Sequence, residues 1–207
     1  MFDLAECDLA GPVMDCCAGG SSLVAEVAGR GGMAVAVDPV YRLSPAELVH
    51  AVRESAGQGA SIIHRNPDRF VWDWYGTPER RDRLRAAAAS RFVVDITRRP
   101  QAYVAAELPR LPFRDAAVEL VLSSHLLFTW SDRLDASWHR AALREMVRVT
   151  RREVRVFPLV VQGTGAAVPF LEPLCDELRA DGLVVTVRRV PYTFQRGADT
   201  MLAVMHR

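Results

Sequence analysis

Short apolar, β-branched runs alternate with stretches of helical spacing along most of this 207-residue chain. That alternation is the pattern of a parallel sheet flanked by helices. Pro12–Asp15 predicts a first strand, and Gly19 to Ala28 the turn and helix that follow it. Met33–Asp38 (MAVAVD) predicts a second strand, Tyr103–Glu107 a third, Val118–Ser123 (VELVLS) a fourth and Val154–Leu159 (VRVFPL) a fifth. Between the last two, Trp138, Ala141, Ala142, Leu143, Met146 and Val147 form the apolar stripe of a helix over Ser137–Thr150.

The alternation breaks twice. After a helical Pro169–Ala180, with Gly182 placed to cap its end, the runs Leu183–Val190 and Thr200–Met205 flank a turn-prone QRGAD segment and predict a hairpin. The second break is a long stretch, about 42–101, where a minimal crossover needs one helix. It predicts two helices, Ser44–Ser55 and Pro78–Ser90, started by Ser44 and Thr77 as caps with Pro45 and Pro78 in the first turn. Between them runs an aromatic cluster, Phe70, Trp72, Trp74 and Tyr75. The expected architecture is a single α/β domain over residues 1–207. Its doubly wound, Rossmann-like sheet is mostly parallel, ends in a C-terminal antiparallel hairpin, and carries a lid-like helical insertion over the sheet's open edge.

Composition narrows the partners. Half the residues are hydrophobic, a quarter charged, and the net charge is +1, so no long-range field would gather nucleic acid or an acidic membrane. Every basic residue is Arg, with no Lys, which reads as the mark of a GC-rich coding sequence rather than of a phosphate-binding surface. Cys7, Cys16, Cys17 and Cys175 lack the spacing of a metal site, and no metal is expected. Reduced thiols, an acidic N-terminal stretch and the lack of a membrane-length apolar run suit a soluble cytoplasmic protein.

The chemistry gathers where strands end, since ligands of open α/β sheets bind beyond the carboxyl ends. The turn VMDCCAGGSS, Val13–Ser22, is built of small residues that let a ligand approach the backbone. Asp38, ending the second strand, can accept hydrogen bonds from both hydroxyls of a ribose. His125 follows the fourth strand at the mouth of the expected pocket and is the candidate general base, with an ordinary pKa of about 6.5. His139, on the next helix, reads as structural, and His50 and His64 lie in the insertion. Trp72, Trp74, Tyr75, Phe128 and Trp130 are candidates to line an acceptor pocket, or alternatively to pack the insertion's own core.

These motifs resemble those of the class I, S-adenosylmethionine-dependent methyltransferases. The family's acid-x-Gly-x-Gly-x-Gly turn falls on Asp15, Cys17, Gly19 and Ser21, with small residues, including Ala18, where glycines are missing. ELPRLPFRDAAVELV is similar to the family's D-A-x-x-L-P-F-x-D-x-x-F-D-x-V block, with Leu111, Pro112, Phe113 and Asp115 in place. LREMVRV and EVRVFPL resemble its next helix and strand, without the Pro-Gly-Gly turn. The resemblance implies S-adenosyl-L-methionine as cofactor, with Asp15 orienting its methionine end and Asp38, beside Pro39, on the ribose. Glu107 and Leu108 would hold the adenine, and Ser123 and Ser124 would face the methionine moiety. It implies methyl transfer to O, N or C of a small-molecule acceptor, with no nucleic acid or membrane partner and a homodimer left open. Two other readings stand beside it: a catalytically silent methyltransferase-like binding subunit, and an NAD(P)-dependent oxidoreductase.

Overall fold

A computed structural model describes residues 1–65 and 67–207. Seven strands form one sheet: β1 Val13–Cys16, β2 Ala34–Val37, β3 Tyr103–Val104, β4 Val118–Ser124, β5 Thr150–Phe157, β6 Val184–Arg189 and β7 Thr200–Met205, in the order β3-β2-β1-β4-β5-β7-β6. The first five run parallel, and β7 lies antiparallel to both β5 and β6. This is the mostly parallel sheet with a closing hairpin that the alternation predicts. Strand order reverses between β1 and β4, so the ends of β1, β2 and β4 frame a crevice.

The largest core cluster joins β1, β4 and β5 to α4 (Ala136–Val149) and α5 (Leu171–Ala180), through Met14, Val121, Leu143, Met146, Val154 and Leu178. On the other side, α1 (Leu23–Gly29), α2 (Pro45–Arg65) and α3 (Pro78–Arg98) bury Val24, Leu48, Val52 and Phe92 against Ala36 of β2 and Tyr103 of β3. Thr77 caps α3 by accepting from the Arg80 N–H at 3.2 Å, and Ser44 exchanges bonds with Glu47 at the start of α2.

Both insertion helices run past their expected ends. The glycines of GQG do not stop α2, because Ile63, two residues before its end, is buried. Phe92, fully buried, does the same for α3. Tertiary burial of one such side chain is worth about 1.5–3 kcal/mol, enough to offset the roughly 2 kcal/mol that two helical glycines cost. β3 is shorter than expected, because the Arg110 N–H bonds the Glu107 carbonyl at 3.1 Å and turns the chain away.

β5 begins four residues earlier than its apolar pattern. Glu153 and Arg155 look like a polar bridge in sequence, yet both are buried in the strand. Arg155 satisfies Glu153 at 2.7 Å and Asp8 at 2.9 Å, and it also donates to the Phe2 carbonyl at 3.0 Å. The N-terminal segment is thereby tied to the sheet.

The insertion covers more than the open edge. From the β2–β3 side its aromatic segment reaches the β6–β7 connection, where the Val71 N–H bonds the Phe194 carbonyl at 2.6 Å and the Arg196 N–H bonds the Arg69 carbonyl at 3.0 Å. Among the described residues no helix is long and apolar enough to cross a membrane.

Candidate active site at the carboxyl ends of the strands

The turn after β1 is fixed to the end of β2. The N–H groups of Cys17 and Ala18 both point at the Val37 carbonyl, at 2.8 and 3.2 Å. Cys17 takes φ +64° and Gly19 φ +53°, so Cys17 holds the left-handed backbone usually given to glycine. The two glycines that follow have opposite surroundings. A side chain on Gly19 would meet nothing within 4 Å, whereas one on Gly20 would come within 2.7 Å of Val52 in α2. One side of the turn is open to a ligand, and the insertion leans on the other.

Asp38 follows β2 directly. Its Oδ2 accepts from the Gly19 N–H and its Oδ1 from the Val40 N–H, each at 2.9 Å. An ionised carboxylate has about four acceptor positions, so two remain free for hydroxyl donors. Pro39 opens a short 3-10 turn, Pro39–Arg42, whose Tyr41 donates its hydroxyl to the Gly19 carbonyl at 2.8 Å. Asp15, Cys17, Ala18, Gly19, Ser21, Asp38 and Pro39 therefore form one continuous structure. Asp15 is 4% exposed. Burial pushes its pKa up to about 6, with the Asp38 charge adding to the rise and the Ser21 hydroxyl opposing it.

Ser123 stands opposite Cys16 in the β1–β4 register. It is fully buried, and its hydroxyl has no partner among the described residues. Such a group in a native fold calls for a bound partner. Ser124, beside it, is half-buried. Glu107 lies across the crevice on the rim, 70% exposed and 3.6 Å from Arg42, while Leu108 behind it is buried.

His125 leaves β4 at φ +61°, held by its N–H to the Phe157 carbonyl at 2.9 Å. The residue is solvent-exposed, although protein lies close around its ring, with Phe157 at 6.2 Å. That crowding, with the positive charges of Arg85 and Arg81, holds its pKa well below the ordinary histidine value. The imidazole is neutral at pH 7 but a weaker base than the 6.5 expected from sequence.

The aromatic candidates separate into two groups. Trp72, Trp74 and Tyr75 pack against Phe194 and Tyr192 of the β6–β7 connection, at ring separations of 5.5, 5.7 and 5.1 Å for the pairs Trp72–Phe194, Trp74–Tyr192 and Tyr75–Phe194. Phe157, at the end of β5, links that cluster to His125 through contacts of 5.8 Å to Tyr192 and 6.2 Å to His125. Phe128 and Trp130 stand apart from it. Phe128 is fully buried against His139 and Phe170, so its ring serves the core. Trp130 donates its indole N–H to the His125 carbonyl at 3.1 Å and carries the Arg133 guanidinium on its ring. His139 accepts the Phe128 N–H at 2.9 Å and contacts the Asp135 carbonyl at 2.8 Å, a structural role.

Tyr41, Arg42, Tyr192 and Phe194 belong to the site and escape sequence reasoning. Tyr41 lies three residues past Asp38, and the turn-prone PYTFQRGAD link carries two aromatic residues that a plain hairpin loop does not need.

A family model described as "Methyltransferase domain" matches residues 75–157, from the aromatic segment to the end of β5. A TehB-like SAM-dependent methyltransferase from Corynebacterium glutamicum shares the fold with a TM-score of 0.50, at 14% identity over 96% of this chain and 80% of that one. The family match covers residues 75–157, and the fold is one that this chain shares with SAM-dependent methyltransferases. An O-methyltransferase family protein from Burkholderia thailandensis gives the same TM-score at 13% identity, with 99% of this chain and 53% of that one covered. An uncharacterised protein of Methanocaldococcus jannaschii is 23% identical over 99% of this chain and 90% of its own length. The methyltransferase match begins after β2, so it takes in Glu107 and His125 but not the turn that holds Asp15, Gly19 and Asp38.

Proposed function

We propose that this chain is a class I methyltransferase that binds S-adenosylmethionine in the crevice between β1, β2 and β4 and methylates a small-molecule acceptor. The observation that carries the reading is Asp38, whose carboxylate is fixed by two backbone N–H groups beside a turn that is open at Gly19. The residues fit the cofactor. Asp38 would take the ribose hydroxyls, Glu107 and Leu108 the adenine, and Asp15, Cys17, Ala18, Ser21 and Ser124 the methionine end, where Ser123 has an unspent hydroxyl. Bound there, S-adenosylmethionine would supply a sulfonium methyl: the acceptor's lone pair forms the new bond to carbon and the S–C electrons stay on sulfur.

The chain's own work is then positioning. Aligning donor and acceptor supplies most of the rate for such a displacement. Neutral His125, just past β4, can accept a hydrogen bond from the acceptor's O–H or N–H and orient its lone pair. Calorimetry with S-adenosylhomocysteine and NAD tests the reading directly. S-adenosylhomocysteine should bind and NAD should not; the reverse would make the chain an oxidoreductase. Cofactor binding without turnover on any acceptor would favour the silent binding subunit.

Asp15 adds a pH signature. Its acid form is favoured by burial, and the cofactor's ammonium favours the ionised form. Binding should therefore release a proton near pH 6, and affinity should rise with pH by up to about tenfold per unit below 6 before levelling off above it. Asp15→Asn should flatten that profile. A wild-type affinity constant from pH 5 to 8 would remove Asp15 from the cofactor site.

The insertion is the proposed cover of the acceptor end. Opening it must break the seam between Val71 and Phe194, so the Val71 N–H should exchange faster in the free protein than with S-adenosylhomocysteine bound. Equal, strong protection in both states would mean a fixed roof.

A further inference from the structure

The turn after β1 carries a feature that cofactor binding does not call for. Neighbouring side chains of a strand point to opposite faces, which ordinarily keeps adjacent cysteines apart. Cys16 is the last residue of β1 and fully buried, and Cys17 follows it with the left-handed φ of +64°. That backbone brings the second thiol back to the first. The two Sγ atoms lie 3.9 Å apart, and both side chains pack in the same core cluster. Glycine would take this φ without strain, so the backbone conformation gives no reason for a thiol.

The pair is unequal. Cys17 is partly exposed, whereas Cys16 is buried. The bond to Cys17, and then burial, push the Cys16 thiol's pKa up, so Cys17 is the thiol that an oxidant meets first. A disulfide here would close a ring through a single peptide bond. Adjacent Cα atoms are about 3.8 Å apart, below the roughly 4.4–6.8 Å that an unstrained disulfide spans. Such a bond is readily reduced, which makes it reversible. Its closure cannot leave the turn as it is, because the sulfurs must come from 3.9 Å to about 2.05 Å. The peptide between them carries the Cys17 N–H, bonded to the Val37 carbonyl at 2.8 Å, two residues before the Gly19 N–H that holds Asp38.

We propose that Cys16 and Cys17 form a redox site, which hydrogen peroxide converts into a reversible disulfide that distorts the turn and weakens S-adenosylmethionine binding. In the first step the Cys17 sulfur attacks a peroxide oxygen, the O–O bond breaks, and Cys17 sulfenic acid and water form. In the second the Cys16 sulfur displaces that hydroxyl, the S–S bond forms, and the Cys16 proton leaves with the hydroxyl as a second water. Each sulfur gives up one electron overall, and the peroxide oxygens take both. The oxidation stands on the thiol geometry alone, and its effect on binding rests on the methyl-transfer reading above.

The test treats the full chain carrying Cys7→Ser with hydrogen peroxide, blocks free thiols with iodoacetamide and digests with trypsin. The peptide Met1–Arg30 then has Cys16 and Cys17 as its only cysteines. It should lose two hydrogens and take up no iodoacetamide, and dithiothreitol should restore both thiols, which it cannot do for a methionine sulfoxide. The oxidised protein should bind S-adenosylhomocysteine at least tenfold more weakly by calorimetry, with dithiothreitol restoring the affinity, and its Cys17–Gly19 amides should exchange faster. In a Cys16→Ala variant peroxide should carry Cys17 on to sulfinic acid, beyond rescue by dithiothreitol. Both thiols still alkylated after peroxide, Cys17 over-oxidised while Cys16 is present, or a disulfide that leaves affinity and exchange unchanged would each overturn the proposal. Reduced protein that fails to bind S-adenosylhomocysteine would instead refute the methyl-transfer reading, and the redox site would be decided by the mass and exchange measurements, which need no cofactor.

Discussion

Asp38→Ala is expected to weaken S-adenosylhomocysteine binding by about 2–4 kcal/mol, or roughly 30- to 1000-fold, the cost of removing a charged hydrogen-bond partner. The same carboxylate holds the Gly19 N–H and caps the turn at Val40. Its loss should therefore also cost about 1 kcal/mol of stability, as a lost cap does. The two effects differ in size, and a melting curve recorded beside the titration separates them. Asp38→Asn is the informative control, because its amide oxygen can still cap Val40 while its charge is gone. A folded Asp38→Ala protein with unaltered affinity would exclude Asp38 from the ribose site.

Arg155→Ala should destabilise the chain by about 3–5 kcal/mol, the cost of leaving buried acids without their partner. Arg155, Asp8 and Glu153 have side chains only 6%, 7% and 5% exposed. The loss should also free Met1 and Phe2, which pack beside Tyr75, Tyr192 and Phe194. The acceptor end would then become more open to proteases than the cofactor crevice.

The pH dependence has a definite sign. Burial alone would push the Asp8 carboxyl up, but the Ala5 N–H together with Arg155 and Arg152 outweighs it and holds the pKa below 3.8. The stabilisation is therefore present above pH 3.8 and is lost as the pH falls toward the lowered value. Acid unfolding should be steeper in wild type than in Asp8→Ala. A loss under 1 kcal/mol in Arg155→Ala would show that Arg152 and Arg188 neutralise these acids unaided.

Legibility followed the range of the forces involved. Strands β1, β2, β4 and β7 are read to within a residue or so because an apolar β-branched run between polar turns has no other stable placement. The caps Ser44 and Thr77 and the acid Asp38 are equally readable, since a cap or a strand-end acid acts on neighbours two or three residues away. β5 is read late because its Arg and Glu carry a polar signature. Only a partner far away in sequence, Asp8, makes their burial tolerable. Phe128 reads as a pocket aromatic beside His125, but its left-handed backbone turns the ring into the core against His139. His125 reads as an ordinary imidazole, and its lowered pKa depends on crowding and on two arginines some 40 residues upstream.

The sequence by itself determined the alternating α/β frame, the closing hairpin, the position of the small-residue turn and the acid beside it, because each rests on periodicity or on contacts a few residues apart. The tertiary structure alone decided that the aromatic segment of the insertion meets Phe194 and that Asp8 is buried on Arg155. Those pairings join residues that local propensity cannot bring together, and only the order of the strands puts them side by side.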